Sequence, residues 1–495
     1  MVAALAHAAP ILSPRQRNPF EATRRRLASN RYGLIRGHSA RTLKRRRLVH
    51  RNKLHVGLLA ATAVLVFAGS ANAADLYGGG ATFPAPAYVG DLYNGTSPVA
   101  KLSRDSAITL PAVTFSVAGL GNSTGTKIPV FQDYHSRYSA DAVSYCQTGS
   151  GTGKKILNND GIFANGACSP AGITGFSSVS GQSAPDFIGT DAPIATADYN
   201  TFITNMAATR TAIVQIPVLA GAIALPFKDT AGGLTSVALN TEQVCRIFAG
   251  DIKNWNDSRL TSPVAGSHPI TIVYRSEGSG TSFAFTSYLA AQCNGKFGLA
   301  ADFFKPNQSF ATAAALALPN YSASSAQAGN NGVVSKVKTT TDAIGYADIA
   351  EVLSQGVMYA SVNGNDPALF GSTGPVSLAP AALLSGKVLD GATVADVPAS
   401  VAAPARNCTR LVNPTAVISG AYPIAAVTYL AAYNAGNGAK ATPIKNLFKQ
   451  FYGPIPAGGV TPPDTRVSLP TGYAYIDGNT LFRSSAVGSI NSCIN

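Results

Sequence analysis

Histidine is scarce, charge is sparse, and the spacings of metal or triad chemistry are missing. The chain has 495 residues and 6 histidines, and only His135 and His268 lie beyond residue 73. That leaves little for a zinc site or for the base of a Ser–His–Asp triad, and no Cys-x2-Cys pair occurs. No metal and no cofactor is therefore expected. Charged residues make up 13% of the chain while Gly, Ala, Ser and Thr abound, a composition that suits a compact, loop-rich exported protein. No repeat with a period of 20–50 residues and no heptad pattern is present, which excludes solenoids and coiled coils.

The overall balance is basic, with a net charge of +14 and a pI near 9.5. Such a balance ordinarily points to nucleic acid or an anionic surface. Here its location changes the reading. Residues 1–73 hold fourteen Lys/Arg against the single acid Glu21, leaving 24 basic and 23 acidic residues for the rest. A chain at +1 beyond its leader has no nucleic-acid partner to expect. "RRRLVHRNKLH" is a positive n-region, "VGLLAATAVLVFAG" an apolar h-region, and "SANA" ends in an A-x-A site before Ala74. The apolar run is short of the roughly 20 residues that span a bilayer. A cleaved export signal is expected, with the break between Ala73 and Ala74 and a periplasmic or secreted destination. No Cys follows that site, so no lipid anchor is expected. Residues 1–45 exceed an ordinary n-region and are left outside the fold.

All six cysteines lie beyond the cleavage point: Cys146, Cys168, Cys245, Cys293, Cys408 and Cys493. An even count in an exported chain points to disulfides, although six cysteines allow fifteen pairings. Proximity along the chain favours Cys146–Cys168, Cys245–Cys293 and Cys408–Cys493.

The roughly 420 residues after the leader exceed one ordinary core, so two lobes are expected. Strand-like and helix-like segments alternate, which favours an α/β class. "ITIVYR" (270–275) is a short strand, and "TSFAFTSYLAA" places Phe285, Tyr288 and Leu289 at helical spacing. "NTEQVCRIFAG" opens on the N-cap residue Asn240, sets Val244, Ile247 and Phe248 on one face, and stops at Gly250. The apolar run 212–227, interrupted by Pro217 and Gly221, reads as a buried strand passing between lobes, and 420–433 as the return crossing. Residues 362–407, rich in Pro, Ala and Gly, read as loop or peripheral insertion.

Four polar loops carry the chemistry. "YGGGATFPAPAY" (77–88) has a glycine turn before a helix start, which would aim the N–H groups of Thr82 and Phe83 outward. "YCQTGSGTGKKILNND" (145–160) fails as a Walker A loop, because Gly153-Lys154 is followed by Lys155 and Thr148 stands where the first glycine belongs. It fails as a dinucleotide fingerprint too, since Gly149, Gly151 and Gly153 bring the third glycine one residue early. A flexible helix start with one central hydroxyl, Ser150, remains. "DFIGTDAPI" (186–194) is a short strand ending in Asp191, for which an N-cap is the ordinary role. "YRSEGSGTSFAFTSYL" (274–289) is not a nucleophile elbow, because Glu277 and Thr281 occupy the outer glycine positions. Helix N-termini present unpaired N–H groups and a partial positive charge, hydroxyls add donors, and one arginine can fork onto an oxyanion. Arg275, Ser279, Gly280 and Thr281 read as an anion grip.

Together "GGGATFPAPAY", "TGSGTGKK", "DFIGTDAPI" and "YRSEGSGTSFAFTSYL" resemble, in kind and in order, the motifs of periplasmic phosphate-binding proteins of ABC importers. "EQVCRIFAGDIKNWND" and "YPIAAVTYL" resemble further stretches, so the likeness covers most of 75–430. "DLYGGGAT" with "GSGTGKKILNND" resembles the DING-type branch, with Leu76-Tyr77 where that branch has Ile-Asn. The resemblance implies a two-lobed periplasmic-binding-protein fold, each lobe a mixed sheet flanked by helices, joined by two crossover strands. Lobe I would hold 74–216 and 425–495, and lobe II 217–424 with the insertion near 362–407. It implies inorganic phosphate bound in the cleft for high-affinity uptake, by a monomer that delivers to an inner-membrane permease. Thr82 and Phe83 would donate backbone N–H, Ser150 hydroxyl and amide, and Asp191 would accept from protonated phosphate. Arg275 would fork onto two oxygens, positioned by Glu277, and Ser279, Gly280 and Thr281 would complete the cage. A rival loop, "GLGNSTGTK" (119–127), has Asn122 where the serine belongs, so Ser150 is preferred. No enzyme is expected; the alternatives are a secreted phosphatase of the DING type or a phosphate scavenger.

Overall fold

The computed structural model describes residues 75–90, 101–102, 129–160, 185–228, 233–416, 422–457 and 464–495. The expected leader and its cleavage site, the rival loop 119–127 and Cys168 lie outside the described residues.

The apolar run that opens after Thr211 forms one continuous strand, Ile213–Lys228, buried along nearly its whole length. Pro217 does not break it. Proline cannot donate to a ladder, and such residues survive in sheets at bulges. Here the register against strand Ala425–Tyr433 shifts between Thr428, opposite Leu219, and Tyr429, opposite Pro217. Val218 is the extra residue at that step.

These two antiparallel strands hold two parallel sets together. On one side the order is Lys101–Leu102, Ala142–Gln147, Asp75–Gly80, Phe187–Thr190 and then Ala425–Tyr433. Ala142–Gln147, Asp75–Gly80 and Phe187–Thr190 run parallel. On the other side the far end of the long strand, at Phe227 and Lys228, pairs with Ala343–Gly345. Strands Thr271–Arg275 and Ala323–Gln327 follow in parallel. The result is one curled mixed sheet flanked by helices, in which Ile213–Lys228 runs from set to set and Ala425–Tyr433 lies between it and the first set. Each parallel set brings the carboxyl ends of its strands to one edge, where ligands of open α/β sheets sit.

Local chemistry behaves as the sequence implies. Helix Thr241–Phe248 opens on Asn240, whose Oδ1 accepts from Gln243 N at 2.9 Å while Gln243 Oε1 accepts from Asn240 N at 2.9 Å. This reciprocal cap satisfies two first-turn donors at once. Val244, Ile247 and Phe248 are buried, and the chain turns away at Gly250, φ 72°. Phe285 and Leu289 of helix Gly280–Cys293 are buried and Tyr288 is half-buried.

Disulfides join Cys245 to Cys293 and Cys408 to Cys493, as proximity suggests. The first ties helix Thr241–Phe248 to the end of helix Gly280–Cys293. The stretch 362–407 is more ordered than its composition suggests. It carries the hairpin Lys387–Asp390 with Thr393–Asp396, and Leu383–Ser385 pairs with Arg410–Val412. Val388, Val397 and Val401 pack into an apolar cluster with Tyr199, Phe202 and Ile213. Thr196 Oγ1 donates to Leu389 O at 3.2 Å. A run of Ala, Gly and Pro hides this because the valines are few and their partners are remote in sequence.

Candidate anion site

Four loops leave the carboxyl ends of parallel strands: after Gly80, Gln147, Thr190 and Arg275. The first three strands are neighbours, so their loops converge. Gly149 N donates to Gly80 O at 2.7 Å, and Ala81 N to Gly189 O at 2.9 Å. Gly149 has φ 85°, a conformation that favours glycine, and its N–H is committed to the first loop.

Ser150 is fully buried at the start of helix Ser150–Leu157. Its Oγ accepts from Asp191 N at 3.1 Å and lies 3.5 Å from Asp191 Oδ2. Asp191 does not cap the helix that follows; Asp198, accepting from Ala195 N at 2.9 Å, does that work. Asp191 is instead buried, with Thr428 Oγ1 donating to its Oδ1 at 2.8 Å. Burial pushes its pKa up to about 7; Asp348 adds to the rise, while Thr428, Arg275 and Ser150 oppose it.

The fourth loop meets these from the other parallel set. Gly151 N donates to Gly278 O at 3.2 Å. A Cβ on Gly280 would lie 2.5 Å from Asp191 Cβ and 2.6 Å from its Oδ2. Ser279 caps helix Gly280–Cys293, its Oγ accepting from Ser282 N at 3.1 Å. That leaves the N–H groups of Gly280 and Thr281 outside the helix's own ladder. The Thr281 hydroxyl is buried with no hydrogen bond among the described residues.

Arg275, 2% exposed, is spanned by partners from both sets. Its Nε donates to Glu277 Oε1 at 2.8 Å, and its Nη2 to the same oxygen and, at 3.2 Å, to Thr82 Oγ1. Nη1 donates to Asn330 Oδ1 at 2.6 Å. Burial raises the Glu277 carboxyl, but the Arg275 charge and hydrogen bonds outweigh it and hold it below its ordinary range. The Phe83 ring is buried edge-on to Tyr473, whose hydroxyl donates to Phe83 O. Thr82, Ser150, Asp191, Arg275 and Gly280 thus meet directly or through one another, and Ser279 and Thr281 flank Gly280.

Three further residues belong to this cluster. Asn330 Nδ2 donates to Asp348 Oδ2 at 2.7 Å, and Asp348 Oδ1 accepts from Glu351 N at 2.8 Å. Burial pushes the Asp348 pKa up to about 6. Thr428 is the third. Asn330 and Asp348 follow strands Ala323–Gln327 and Ala343–Gly345, parallel neighbours of Thr271–Arg275. Only that pairing makes them adjacent to Arg275. An N-cap aspartate in "YADIAEVL" was the one available signal.

One guanidinium thus faces Glu277, Asp191 and Asp348. Positive potential for a ligand must come mainly from main-chain N–H groups and helix starts, which suits a small oxyanion and not a bulky acid.

Two parallel sets joined through the long strand Ile213–Lys228, with polar loops meeting at their edges, define a two-lobed α/β fold. The chain belongs to the PBP superfamily, whose domain matches residues 110–452. Among curated relatives, alkaline phosphatase L of Pseudomonas aeruginosa is 30% identical over 240 residues, 46% of this chain and 57% of that protein. The phosphate-binding protein PstS2 of Mycobacterium bovis is 27% identical over 272 residues, 54% of this chain and 64% of that one. The matched stretches therefore span less than two thirds of either relative. The crystal structure of a phosphate-binding protein from Stenotrophomonas maltophilia has the same fold, with a TM-score of 0.51, 22% identity, and coverage of 84% of this chain and 93% of that one.

Proposed function

We propose that this protein binds inorganic phosphate between its two lobes and serves as the solute-binding component of phosphate uptake, as an exported monomer delivering to a membrane permease. The observation that carries the reading is the junction of Arg275 with Thr82 across the two sets, beside the contact of Gly280 with Ser150 and Asp191. Thr82, Phe83, Gly280 and Thr281 supply main-chain donors, Ser150, Ser279 and Thr281 hydroxyls, and Arg275 the charge. Asp191 accepts the proton that phosphate carries and sulfate at neutral pH lacks. A site built around one required hydrogen bond can discriminate by roughly 10⁴–10⁵-fold.

Calorimetric titration of the purified protein with phosphate, sulfate and a phosphate monoester tests this. Tight binding of phosphate alone is expected; equal binding of sulfate, or none of phosphate, would sink it. Small-angle scattering should register compaction on adding phosphate, because a ligand touching both lobes favours the state in which they meet.

The relative named alkaline phosphatase L supports a second reading, hydrolysis of phosphate esters in the same cleft. A cage that holds phosphate also stabilises a phosphoryl transition state. Turnover of a chromogenic phosphate ester that falls with Arg275→Ala would favour it; release no faster than buffer would leave binding alone.

A further inference from the structure

Asp191 has two carboxylate oxygens with unequal surroundings. Oδ1 accepts a 2.8 Å hydrogen bond from Thr428 Oγ1, and both residues are buried. Oδ2 has only the long 3.5 Å approach of Ser150 Oγ, and it is the oxygen that faces Gly280 at the start of the opposing helix. Thr428 is not in any of the four loops. It lies on the crossing strand Ala425–Tyr433, at the step where the register shifts opposite Pro217. Tyr429 pairs with Thr190 across the antiparallel strands Ala425–Tyr433 and Phe187–Thr190, which sets Thr428 beside Asp191.

We propose that Thr428 is a positioning residue for Asp191, holding Oδ1 so that Oδ2 alone faces the ligand as an acceptor, and thereby setting the pH above which sulfate is refused. The proposal rests on the phosphate-binding reading and adds a residue and a regulated property to it. An ionised Asp191 can only accept, so it requires a ligand that brings a proton. A protonated Asp191 can donate, and a fully deprotonated oxyanion then becomes acceptable. The balance between these forms decides selectivity.

Every group facing Asp191 bears on that balance. Arg275 and the hydroxyls of Thr428 and Ser150 favour the ionised form, while burial and the neighbouring Asp348 disfavour it. The hydroxyls of Tyr88, Tyr145 and Tyr473 also lie within electrostatic reach and stay protonated, their own pKa values raised by burial. Among these, Thr428 alone bonds Asp191 without belonging to the four loops. Removing its hydroxyl while keeping its shape should move Asp191 toward the protonated form.

The test is competition of sulfate against phosphate, by calorimetry between pH 6 and 9, for the native protein, Thr428→Val and Thr428→Ser. A hydrogen bond to a charged group is strong enough to shift such a balance about tenfold. Thr428→Val should therefore move the rejection profile to higher pH by about one unit and admit sulfate about fivefold better near pH 8. Thr428→Ser should restore the native profile. In an Asp191→Asn background Thr428→Val should change selectivity no further, which a general loosening of the strand would not reproduce. Thr428→Cys gives the same comparison with a weak donor if the valine variant does not fold. A valine profile superimposable on the native one, with phosphate still bound, overturns the role of Thr428. Absence of phosphate binding by the native protein would instead refute the reading beneath it.

Discussion

Gly280 stands so close to Asp191 that a Cβ there would fall 2.6 Å from Oδ2. The helix start of one parallel set and the loop of the other are therefore in van der Waals contact, and only a residue without a side chain allows it. Gly280→Ala should push Asp191 and Ser150 aside. Overpacking of this kind costs about 1–3 kcal/mol, or about 5- to 150-fold in affinity. Phosphate titration should show that loss with an unchanged far-UV circular dichroism spectrum; affinity within twofold of native would refute the contact.

Arg275 joins Thr82, Glu277 and Asn330, and its replacement leaves buried acceptors uncompensated. Arg275→Ala should weaken phosphate binding by at least about 100-fold, since bonds to charged groups contribute roughly 1.5–3 kcal/mol each. Ser279→Ala, which removes a helix cap and one hydroxyl, should cost about tenfold or less. Calorimetry that ranks the serine change as the more damaging would invert this assignment.

Asp191 and Asp348 have folded-state pKa values of about 7 and about 6, above those of an unfolded chain. The folded protein then binds more protons than the unfolded one between about pH 4 and 7. Stability without phosphate should fall as pH rises through that window and level off above it. Glu277, held low by Arg275, acts in the opposite sense but only as pH drops through the acid range. Thermal melts in phosphate-free buffer should be lower at pH 8 than at pH 5.5, by on the order of a few kcal/mol in stability. A rise across that interval would contradict the buried-carboxylate account.

The Cys245–Cys293 bridge spans 48 residues and anchors the far end of the helix whose first turn carries Gly280 and Thr281. Closing a loop of that length is worth roughly 3–4 kcal/mol. Replacing both cysteines by serine should lower the unfolding free energy by about that amount in a denaturant titration. Phosphate affinity measured well below the transition should move less than threefold, because the helix start is held by Ser279 and its neighbours. A large loss of affinity in the folded variant would mean that the bridge positions the site.

Many local features of this candidate site were legible in the residues themselves. Glycine turns, hydroxyls at helix starts, and an arginine two residues from a glutamate are local patterns, and local chemistry determines them. The cap at Asn240 was readable for the same reason, whereas the two disulfides rested on proximity along the chain among fifteen possible pairings. Asp191 shows where reading becomes interpretation. A strand-ending aspartate ordinarily caps a helix, and its neighbour Asp198 does so here while Asp191 turns inward. The valines at 388, 397 and 401 went unread because their partners lie nearly two hundred residues away.

An α/β chain with four donor-rich loops and one arginine among them suited to an oxyanion follows from the residues alone, since turn, cap and charge chemistry act over a few residues. Only the tertiary structure decided that Asn330 and Asp348 would stand behind Arg275 and Thr428 behind Asp191. Those neighbours come from which strands lie side by side: Ala323–Gln327 and Ala343–Gly345 parallel to Thr271–Arg275, and Ala425–Tyr433 antiparallel to Phe187–Thr190. Pairing of that kind is fixed by burial of whole faces across the chain, which no short stretch encodes.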